Sequence, residues 1–411
     1  MSEMFQINSE RLQRWIYDFA QIGRTNKGGV TRLALSDEDK VARDLFVQLA
    51  ESAGCTIKID PMGNIFARRE GKNKNLDPVV IGSHIDSQPF GGRFDGIYGV
   101  LAALEVIYSL NDHQIETDRP IDVVNWTNEE GARFAPAMIG SAVFCGLTPL
   151  EEGLACKDTE GKTIGEELKR IGYAGTDDFS NYKIHSSLEI HIEQGPVLEN
   201  KKELIGVVTG ALGQKWYNVE FQGMASHAGT TPMDVRQDAL LGLAEGVSEI
   251  NKIGWEEMPD GRATVGMVEI SPNSRNVIPD KAWFSVEFRH PSEEGLERMD
   301  KKLHSGIRKI AENLNLKEEV QSVLSFPPLS FNEKCIQVVR TVVKKLNYPS
   351  RDMVSGAGHD SCNISKIAPA SMIFIPCIKG ISHNELEDAT AEWTNSGANV
   401  LLHSVIELSG E

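Results

Sequence analysis

Apolar residues recur at helical spacing in the first part of the chain, over residues 8–22 and 37–53, and predict two amphipathic helices. After them, the run CTIKIDPMGNIFARREG alternates apolar and polar residues on both sides of a Pro-Met-Gly-Asn turn, which predicts a β-hairpin. A buried strand (PVVIGSHID), a long helix (DGIYGVLAALEVIYSLND) and a second strand (PIDVVNWTNEE) follow in that order. Polar residues end both strands, as is typical of α/β sheets that bind ligands at the carboxyl edge.

The pattern changes between about Gly210 and about Pro327, where strand-like and helical runs follow one another in the order βαββαβ. The runs are QKWYNVEFQG, TPMDVRQDALLGLAEGVSEINKI, ATVGMVEISPN, KAWFSVEFRHP, SEEGLERMDKKLHSGIRKIAENL and EEVQSVLSF. This order is that of a ferredoxin-like unit, which can fold by itself. We therefore expect an α/β domain with a mostly parallel sheet, residues 1–209 and 328–411, interrupted by an inserted domain, residues 210–327.

The length and composition of the chain are those of a two-domain globular protein. Its 411 residues exceed one typical core, and 40% of them are hydrophobic and 25% charged. A formal net charge of −17 disfavours nucleic acid and anionic membranes as partners, although a local cationic pocket can still attract a small anion. The charged amino terminus, the lack of a long apolar run and six scattered cysteines predict a cytoplasmic protein with reduced thiols.

The segment GSHIDSQPFGGRFDGIYG carries three residues with metal-binding side chains, His84, Asp86 and Asp95. His84 and Asp86 alternate along a strand end and point to opposite sides, so one can bind a metal while the other supports it from behind. The glycines of this segment allow a tight turn that returns Asp95 towards His84. The alternative is a solvated turn before a helix.

Two adjacent carboxylates, Glu129 and Glu130, follow the second strand, where repulsion and desolvation are costly unless a positive charge lies nearby. The histidines His191, His359 and His383 also lie in polar, glycine-containing segments. Each histidine alone is most simply a hydrogen-bonded polar residue, but a set of imidazoles and carboxylates suits zinc, manganese or cobalt better than calcium or magnesium. A two-metal site would let one glutamate bind a metal and leave its neighbour to transfer protons. The candidate set is His84, Asp95, Glu129 or Glu130, His191 and His383.

The inserted domain also carries candidate residues. His227 follows a strand and precedes Thr231-Pro232, a plausible helix start, and its simplest interpretation is a turn histidine. Asn276 and Arg289 lie in the segments PNSRNVIP and FRHP. An arginine that ends a strand is most often solvated, and the functional alternative is a bidentate clamp for a carboxylate.

The candidate residues lie in eight short segments that are spread in order over nearly the whole chain. The segments are GSHIDSQP, GGRFDG, NEEGARF, HIEQGPVLE, HAGTTPM, FRHP, SGAGHDS and ISHN. On this ordered set the chain resembles the dinuclear-zinc amidohydrolase/peptidase superfamily, which contains aminoacylases and carboxypeptidase G. Within it, the chain is most similar to the branch of N-carbamoyl-L-amino acid hydrolases, yeast-type β-ureidopropionase and allantoate amidohydrolase.

The resemblance implies a role for each matched residue of the presumed metal site. Asp95 would bridge two divalent ions, with His84 and His191 completing one site and Glu130 and His383 the other. Zinc is the metal that the resemblance favours, and manganese, cobalt and nickel fit the same ligands.

The resemblance also implies catalytic and substrate-binding roles. Glu129 would act as general base and acid, and His227 would polarise the scissile carbonyl. The inserted domain would act as a lid and form a homodimer, so that His227 and Asn276 enter the partner's active site. The implied substrate-binding residues are Gln194, Asn276, Arg289, Gly358 and His359.

Trp216 bears on the choice of substrate, because allantoate enzymes of this branch carry an arginine near this position and carbamoyl-amino-acid hydrolases a tryptophan. We therefore predict hydrolysis of a small anionic substrate, an N-carbamoyl-L-amino acid or N-carbamoyl-β-alanine, to the amino acid, carbon dioxide and ammonia. Allantoate amidohydrolase, or a peptidase or aminoacylase of the superfamily, is one alternative. A catalytically inactive binding or scaffold protein that keeps the fold is the other.

Overall fold

The computed structural model describes residues 5–410, which form two compact units. The first unit extends to Thr209 and resumes at Phe331, and the second comprises Gly210–Ser330. The second junction lies at 330/331 instead of the predicted 327/328, because residues 329–330 still pair with residues 210–211. Among the described residues, no helix combines the length and the apolar character that crossing a membrane requires.

The first unit is built on a mixed β-sheet. Its strands, numbered along the whole chain, are β1 (Thr56–Ile59), β2 (Ile65–Arg69), β3 (Val79–His84), β4 (Ile121–Trp126), β5 (Ser186–Ile192), β6 (Ile205–Ala211), β15 (Ser350–Ser355) and β16 (Ala370–Ile375). Their order is β1-β2-β4-β3-β5-β16-β6, with β15 paired to β6. The central strands β4, β3, β5 and β16 run parallel, and the flanking pairs β1-β2, β2-β4 and β16-β6 are antiparallel. Parallel strands end at the same edge of a sheet, so four strands direct the residues after them to one place.

Helices cover this sheet. They are α1 (Ser9–Gln21), α2 (Asp37–Ser52), α3 (Ile97–Asp112), α4 (Ile139–Phe144), α5 (Leu150–Ala155), α6 (Ile164–Ile171), α7 (Val197–Lys201), α10 (Glu333–Leu346), α11 (Asp360–Ile364) and α12 (Ala391–Ser409). The predicted helices at 8–22 and 37–53 are α1 and α2, which begin where the side chains of Asn8 and Ser36 accept backbone hydrogen bonds. Nearly every residue of α3 is buried, because this helix packs against β3, α1 and α12.

The second unit contains the predicted βαββαβ order with short strands added. Its elements are β7 (Gly213–Gln222), β8 (Ser226–His227), α8 (Ala239–Glu256), β9 (Arg262–Thr264), β10 (Val268–Ser271), β11 (Val277–Ile278), β12 (Lys281–His290), α9 (Glu293–Leu314), β13 (Lys317–Phe326) and β14 (Leu329–Ser330). The antiparallel sheet has the order β10-β12-β7-β13, and β9 also pairs with β12. Alternate residues of β7 and β12 are buried with the apolar faces of α8 and α9 in one core. The roles of this unit as a lid and as a dimerisation surface stay predictions.

The segment before α8 differs from the prediction of a helix start at Thr231-Pro232. Only a 3-10 turn forms at Met233–Val235, and Arg236 then has extended backbone angles. The side chain of Asp238 accepts hydrogen bonds from the backbone of the first turn, so α8 begins at Ala239. The predicted strand ATVGMVEISPN likewise forms two strands, β9 and β10, since the Met267 amide between them donates to the Ser285 side chain instead of a backbone carbonyl.

Candidate metal centre

Side chains from several chain segments converge at the carboxyl edge of the parallel strands. His84 is the last residue of β3, and His191 lies one residue before the end of β5. The two adjacent glutamates follow β4, and His383 follows β16. Asp95 comes from the turn before α3. Residues that are up to almost 300 positions apart in the sequence therefore meet at one place.

The carboxylate of Asp95 lies at the centre of this cluster, and its two oxygens face different neighbours. Oδ1 is 3.1 Å from Nε2 of His191 and 4.0 Å from Nε2 of His84. Oδ2 is 3.3 Å from Nε2 of His383, which lies 3.5 Å from Oε2 of Glu130. Among the described residues, potential ligand atoms that lie within 4.8 Å of one another form three groups. One is Glu189-His191-His359, and the other two lie around Asp95. Asp95 belongs to both groups, which are His84-Asp95-His191 and Asp95-Glu130-His383.

Backbone carbonyls orient the two buried imidazoles. Nδ1 of His84 lies 2.9 Å from the carbonyl oxygen of Asp86, and Nδ1 of His191 lies 2.9 Å from that of Ile192. A carbonyl oxygen only accepts hydrogen bonds, so each Nδ1 must carry the proton. Nε2, on the side of Asp95, is then the nitrogen of each ring that is free to lose its proton and bind a metal.

The two adjacent glutamates occupy different surroundings. The carboxylate of Asp86 accepts hydrogen bonds from the backbone amides of Glu129 and Glu130, at 3.2 and 3.3 Å, and so anchors both. Gln88 donates its backbone and side-chain N–H groups to the Glu130 carboxylate. Glu130 belongs to one of the two groups, whereas Glu129 belongs to neither and has its Oε2 3.4 Å from Nε2 of His84.

Negative charge is concentrated in the cluster. Burial raises the pKa of Glu129 well above its usual range, and the nearby Asp360 and Glu130 carboxylates add to this increase. Burial also raises the pKa of Glu130 to about 8, with a contribution from Asp95. For His191, burial lowers the pKa, but the hydrogen bond to Asp95, the charges of Asp95 and Glu189 and the Ile192 carbonyl together outweigh burial and raise the pKa to about 9. Several carboxylates therefore compete for few positive partners.

The donor set fits two divalent transition-metal ions. Each group combines imidazole nitrogen with carboxylate oxygen, which is the mixture that zinc, manganese and cobalt accept. Divalent cations would offset the excess of buried negative charge. The side-chain oxygen of Gln194 adds a further acceptor, since it is buried and receives no hydrogen bond from the described residues.

Glycine at position 96 allows the turn that carries Asp95. Gly96 has a φ of +66°, and an added Cβ would lie 2.2 Å from Cε1 of His84. A side chain at this position would therefore push the His84 imidazole out of its group as well as strain the backbone.

The other predicted residues of the first unit line the cluster at different depths. Gln194 Nε2 donates to Oδ2 of Asp95 at 2.9 Å, so this residue contacts the cluster directly. His359 is buried behind His191, with ring centroids 4.6 Å apart, and its Nε2 lies 3.0 Å from Oγ of Ser355. Gly358 lies beside the Met138 side chain, which a Cβ at position 358 would contact at 3.0 Å.

The predicted residues of the second unit lie in two places. His227 pairs with Val277 in the β8-β11 ladder, beside the backbone of Asn276, whose carbonyl accepts from Ala228. Trp216 lies opposite Glu287 on the open face of the five-stranded sheet. Glu287 accepts a hydrogen bond from Nε of Arg289 at 2.7 Å.

Three residues that contact the cluster were not predicted from the sequence. Gln88 binds Glu130, Ser382 donates to Asp95, and Glu387 accepts hydrogen bonds from the turn before α3. Gln88 and Ser382 lie within the motifs GSHIDSQP and ISHN, and Glu387 follows the second motif by three residues. Loop residues without periodicity give no signal of the distant groups that they contact.

The sequence model of the peptidase family M20/M25/M40 matches residues 80–407, a range that includes all members of both groups. This chain belongs to the M20/M25/M40 peptidase family. The family is metal-dependent, and the two groups around Asp95 are its candidate metal sites in this member.

Relatives of this M20 family member match it over nearly the whole length. The N-carbamoyl-L-amino-acid amidohydrolase of Rhizobium meliloti is 44% identical over 402 residues, 98% of this chain and 97% of the relative. The crystal structure of an amidase of the hydantoinase/carbamoylase family from Burkholderia multivorans has 54% identity and a TM-score of 0.95, with 99% of each chain covered. The ureidoglycolate hydrolase of Arabidopsis thaliana is 33% identical over 420 residues, 100% of this chain and 88% of the relative. These matches confirm the predicted superfamily and branch.

The variant Gly96→Ala is expected to lose metal, because the new methyl group displaces His84 from Asp95. Metal analysis after dialysis against zinc-containing buffer would measure this loss. Gly54→Ala is the matched control, since Gly54 also has a positive φ, +82°, but its Cβ would meet no atom within 4 Å. It imposes a similar backbone strain, about 1–2 kcal/mol, away from the cluster. Equal metal contents in G96A and G54A would contradict the assignment of His84 as a ligand.

Proposed function

We propose that this M20 family member is a metal-dependent amidohydrolase that cleaves the ureido C–N bond of N-carbamoyl-L-amino acids or N-carbamoyl-β-alanine. The products are the amino acid, carbon dioxide and ammonia. The observation that carries the proposal is the division of the cluster around Asp95 into two groups, with Glu129 left outside both. The whole-length similarity to N-carbamoyl-L-amino-acid amidohydrolases supports the choice of substrate.

The residues of the two groups would each hold one divalent ion, with Asp95 shared between them. Zinc is the first choice for this donor set, and manganese, cobalt or nickel can replace it. When bound, two such cations supply Lewis acidity to a carbonyl carbon that two nitrogen atoms make weakly electrophilic, and they acidify the attacking water.

Glu129 is the proposed general base and acid. Its carboxylate is close to the cluster, 3.4 Å from His84, but it has no place in either group. Burial raises the pKa of Glu129. A higher pKa brings the proton affinity of this carboxylate closer to that of the attacking water and the leaving nitrogen, with which it exchanges a proton. It takes a proton from the attacking water and gives it to the leaving nitrogen.

His227 is the proposed hydrogen-bond donor to the carbonyl oxygen. Its Nδ1 accepts hydrogen bonds from the amides of Gly229 and Thr230, at 3.0 and 3.3 Å, so the neutral ring carries its proton on Nε2. A preorganised donor of this kind, aimed at the oxygen where negative charge develops, typically contributes about 3–4 kcal/mol.

The substrate carboxylate would bind to Arg289 and Asn276, and the acidic chain needs such a local cation to attract an anion. Glu287 holds the guanidinium of Arg289 on the open face of the sheet, next to Trp216. The remaining proposed substrate contacts are Gln194, Gly358 and His359. We further propose that the second unit is a lid and dimerisation domain and that the enzyme is a cytoplasmic homodimer.

A substrate panel tests the proposed specificity. The zinc-, manganese- or cobalt-loaded enzyme is expected to release ammonia from N-carbamoyl-L-α-amino acids or N-carbamoyl-β-alanine, with a higher kcat/KM than from allantoate, ureidoglycolate or N-acetyl amino acids. Preference for allantoate would favour the alternative, allantoate amidohydrolase. Preference for ureidoglycolate would favour the activity of the ureidoglycolate hydrolases, which are more distant relatives. No turnover of any substrate by metal-loaded protein would favour a binding or scaffold role.

The pair Glu129→Gln and Glu130→Gln tests how the adjacent glutamates divide their roles. E129Q is expected to keep wild-type metal content and lose nearly all turnover, because the amide cannot accept the proton. E130Q is expected to lose metal, because Glu130 belongs to a metal group. Metal analysis and ammonia release on the same samples separate the two effects, and normal turnover in E129Q would remove this residue from the mechanism.

Mixed dimers test whether His227 acts in the partner's active site. E129Q and His227→Ala are each expected to be inactive alone, but a hybrid dimer would contain one intact site. Random reassortment of equal amounts should restore about a quarter of the wild-type activity, since half of the dimers are hybrids with one of two sites intact. After co-expression, two affinity tags isolate the hybrid, which should recover about half of the wild-type activity because one of its two sites is intact. Absence of recovery in the purified hybrid would place His227 in its own subunit's site.

A further inference from the structure

Glu387 is a buried carboxylate that the proposed mechanism does not use. It is only 2% exposed and lies in the loop between β16 and α12, shortly after His383. Neither of the two groups around Asp95 includes it. A buried carboxylate without a metal or a cationic partner needs other hydrogen-bond donors, and their identity indicates its role.

All hydrogen-bond partners of Glu387 belong to a proposed metal ligand or to residues next to one. Oε1 accepts hydrogen bonds from the backbone amides of Phe94 and Asp95, at 2.9 and 3.0 Å. Oε2 lies 3.1 Å from Oγ of Ser382, the residue before His383. The same hydroxyl lies 2.9 Å from Oδ2 of Asp95. One carboxylate therefore contacts the main chain of Asp95 and the segment that carries His383.

Position 92 shows that the chain leaves room for this carboxylate. A Cβ added at Gly92 would lie 1.9 Å from Cδ of Glu387 and 2.0 Å from its Oε1. Any side chain at position 92 would therefore displace the Glu387 carboxylate from the amides that it contacts. Gly92 thus makes room for the Glu387 carboxylate, whereas Gly96, at the other end of the segment GGRFDG, makes room for His84.

We propose that Glu387 is a positioning residue of the metal centre. It fixes the position of the shared ligand Asp95 relative to that of the ligand His383. The inference rests on the proposed function, because it requires that these two residues bind metal. Residues that support metal ligands from behind typically change metal affinity by roughly 10–100-fold when they are replaced. Since Asp95 belongs to both groups, loss of Glu387 should weaken both sites.

The test compares Glu387→Ala and Glu387→Gln with the wild type. In E387A all three contacts are lost, and we expect cobalt to bind at least about tenfold more weakly at both sites. In E387Q the amide oxygen can still accept from the backbone of Phe94 and Asp95, but the amide nitrogen faces Ser382, so we expect an intermediate loss. Competition with a chelator measures Co²⁺ affinity, and the visible absorption of bound Co²⁺ reports the coordination geometry.

Glu193→Gln and Glu193→Ala are the matched controls. Glu193 also accepts two backbone hydrogen bonds, from Val197 and Leu198, both at 2.8 Å. Those amides begin α7 and belong to no proposed metal ligand. The control variants should keep the wild-type Co²⁺ affinity and spectrum, even if they unfold at a lower temperature. Thermal unfolding of each metal-free variant shows whether that variant is folded at the temperature of the binding assay. A lower Co²⁺ affinity that results only from unfolding can thereby be recognised.

Gly92→Ala extends the test to a double-mutant cycle. Alone, G92A should weaken Co²⁺ binding, because its methyl group takes the place of the Glu387 carboxylate. In the E387A background the same methyl group meets no carboxylate, so the double variant should bind no more weakly than E387A. Such non-additivity would not arise if the two positions acted independently.

The outcomes separate this inference from the proposed function. If the wild type binds two Co²⁺ ions and hydrolyses carbamoyl amino acids, but folded E387A and E387Q bind Co²⁺ with unchanged affinity and spectrum, then Glu387 is not a positioning residue. Equal losses in the Glu193 and Glu387 variants would also overturn the inference. If the wild type itself binds no metal, the proposed function fails first.

Discussion

The carboxylate of Asp95 is the feature on which the rest of the structure depends. It is buried, and its two oxygens face imidazoles from three different chain segments. This arrangement is possible because four neighbouring strands run parallel and end at the same edge of the sheet. A single shared carboxylate would make two metal sites interdependent, so that any change in its orientation would affect both.

The surroundings of Asp95 show how a rigid centre is built from loops. Two buried carboxylates that belong to neither metal group each accept hydrogen bonds from consecutive backbone amides. Asp86 binds the amides of Glu129 and Glu130, and Glu387 binds those of Phe94 and Asp95. Each carboxylate thereby satisfies its own buried charge and fixes the main chain of the residues that would hold metal. Glycines at positions 92 and 96 leave the space that the carboxylate and the imidazole need.

The second unit has a core of its own and adds a different kind of chemistry. Helices α8 and α9 cover one face of its sheet, and the other face carries polar and aromatic side chains. The proposed substrate donors of this unit lie in two places: Glu287 accepts a hydrogen bond from Arg289 on this face, and backbone amides donate to His227 in the separate β8-β11 ladder. The first unit thus carries the candidate metal ligands, the proposed base and part of the proposed substrate contacts, and the second carries His227 and the proposed residues for the substrate carboxylate.

Periodicity alone predicted α1, α2, the β1-β2 hairpin and the βαββαβ order, because these depend on local alternation of apolar residues. The histidines and carboxylates at the strand ends predicted a metal cluster, and the eight ordered motifs indicated the family. The residues alone left open which of Glu129 and Glu130 binds metal, and the resemblance implied Glu130. The tertiary structure brings Glu130 and not Glu129 into a group with Asp95, and it begins α8 directly after Asp238, whose side chain caps the helix. It also revealed Glu387, whose partner amides are 293 and 292 positions away in the sequence. Hydrogen bonds between loops so far apart leave no local pattern in a sequence, since only the folded sheet brings them together.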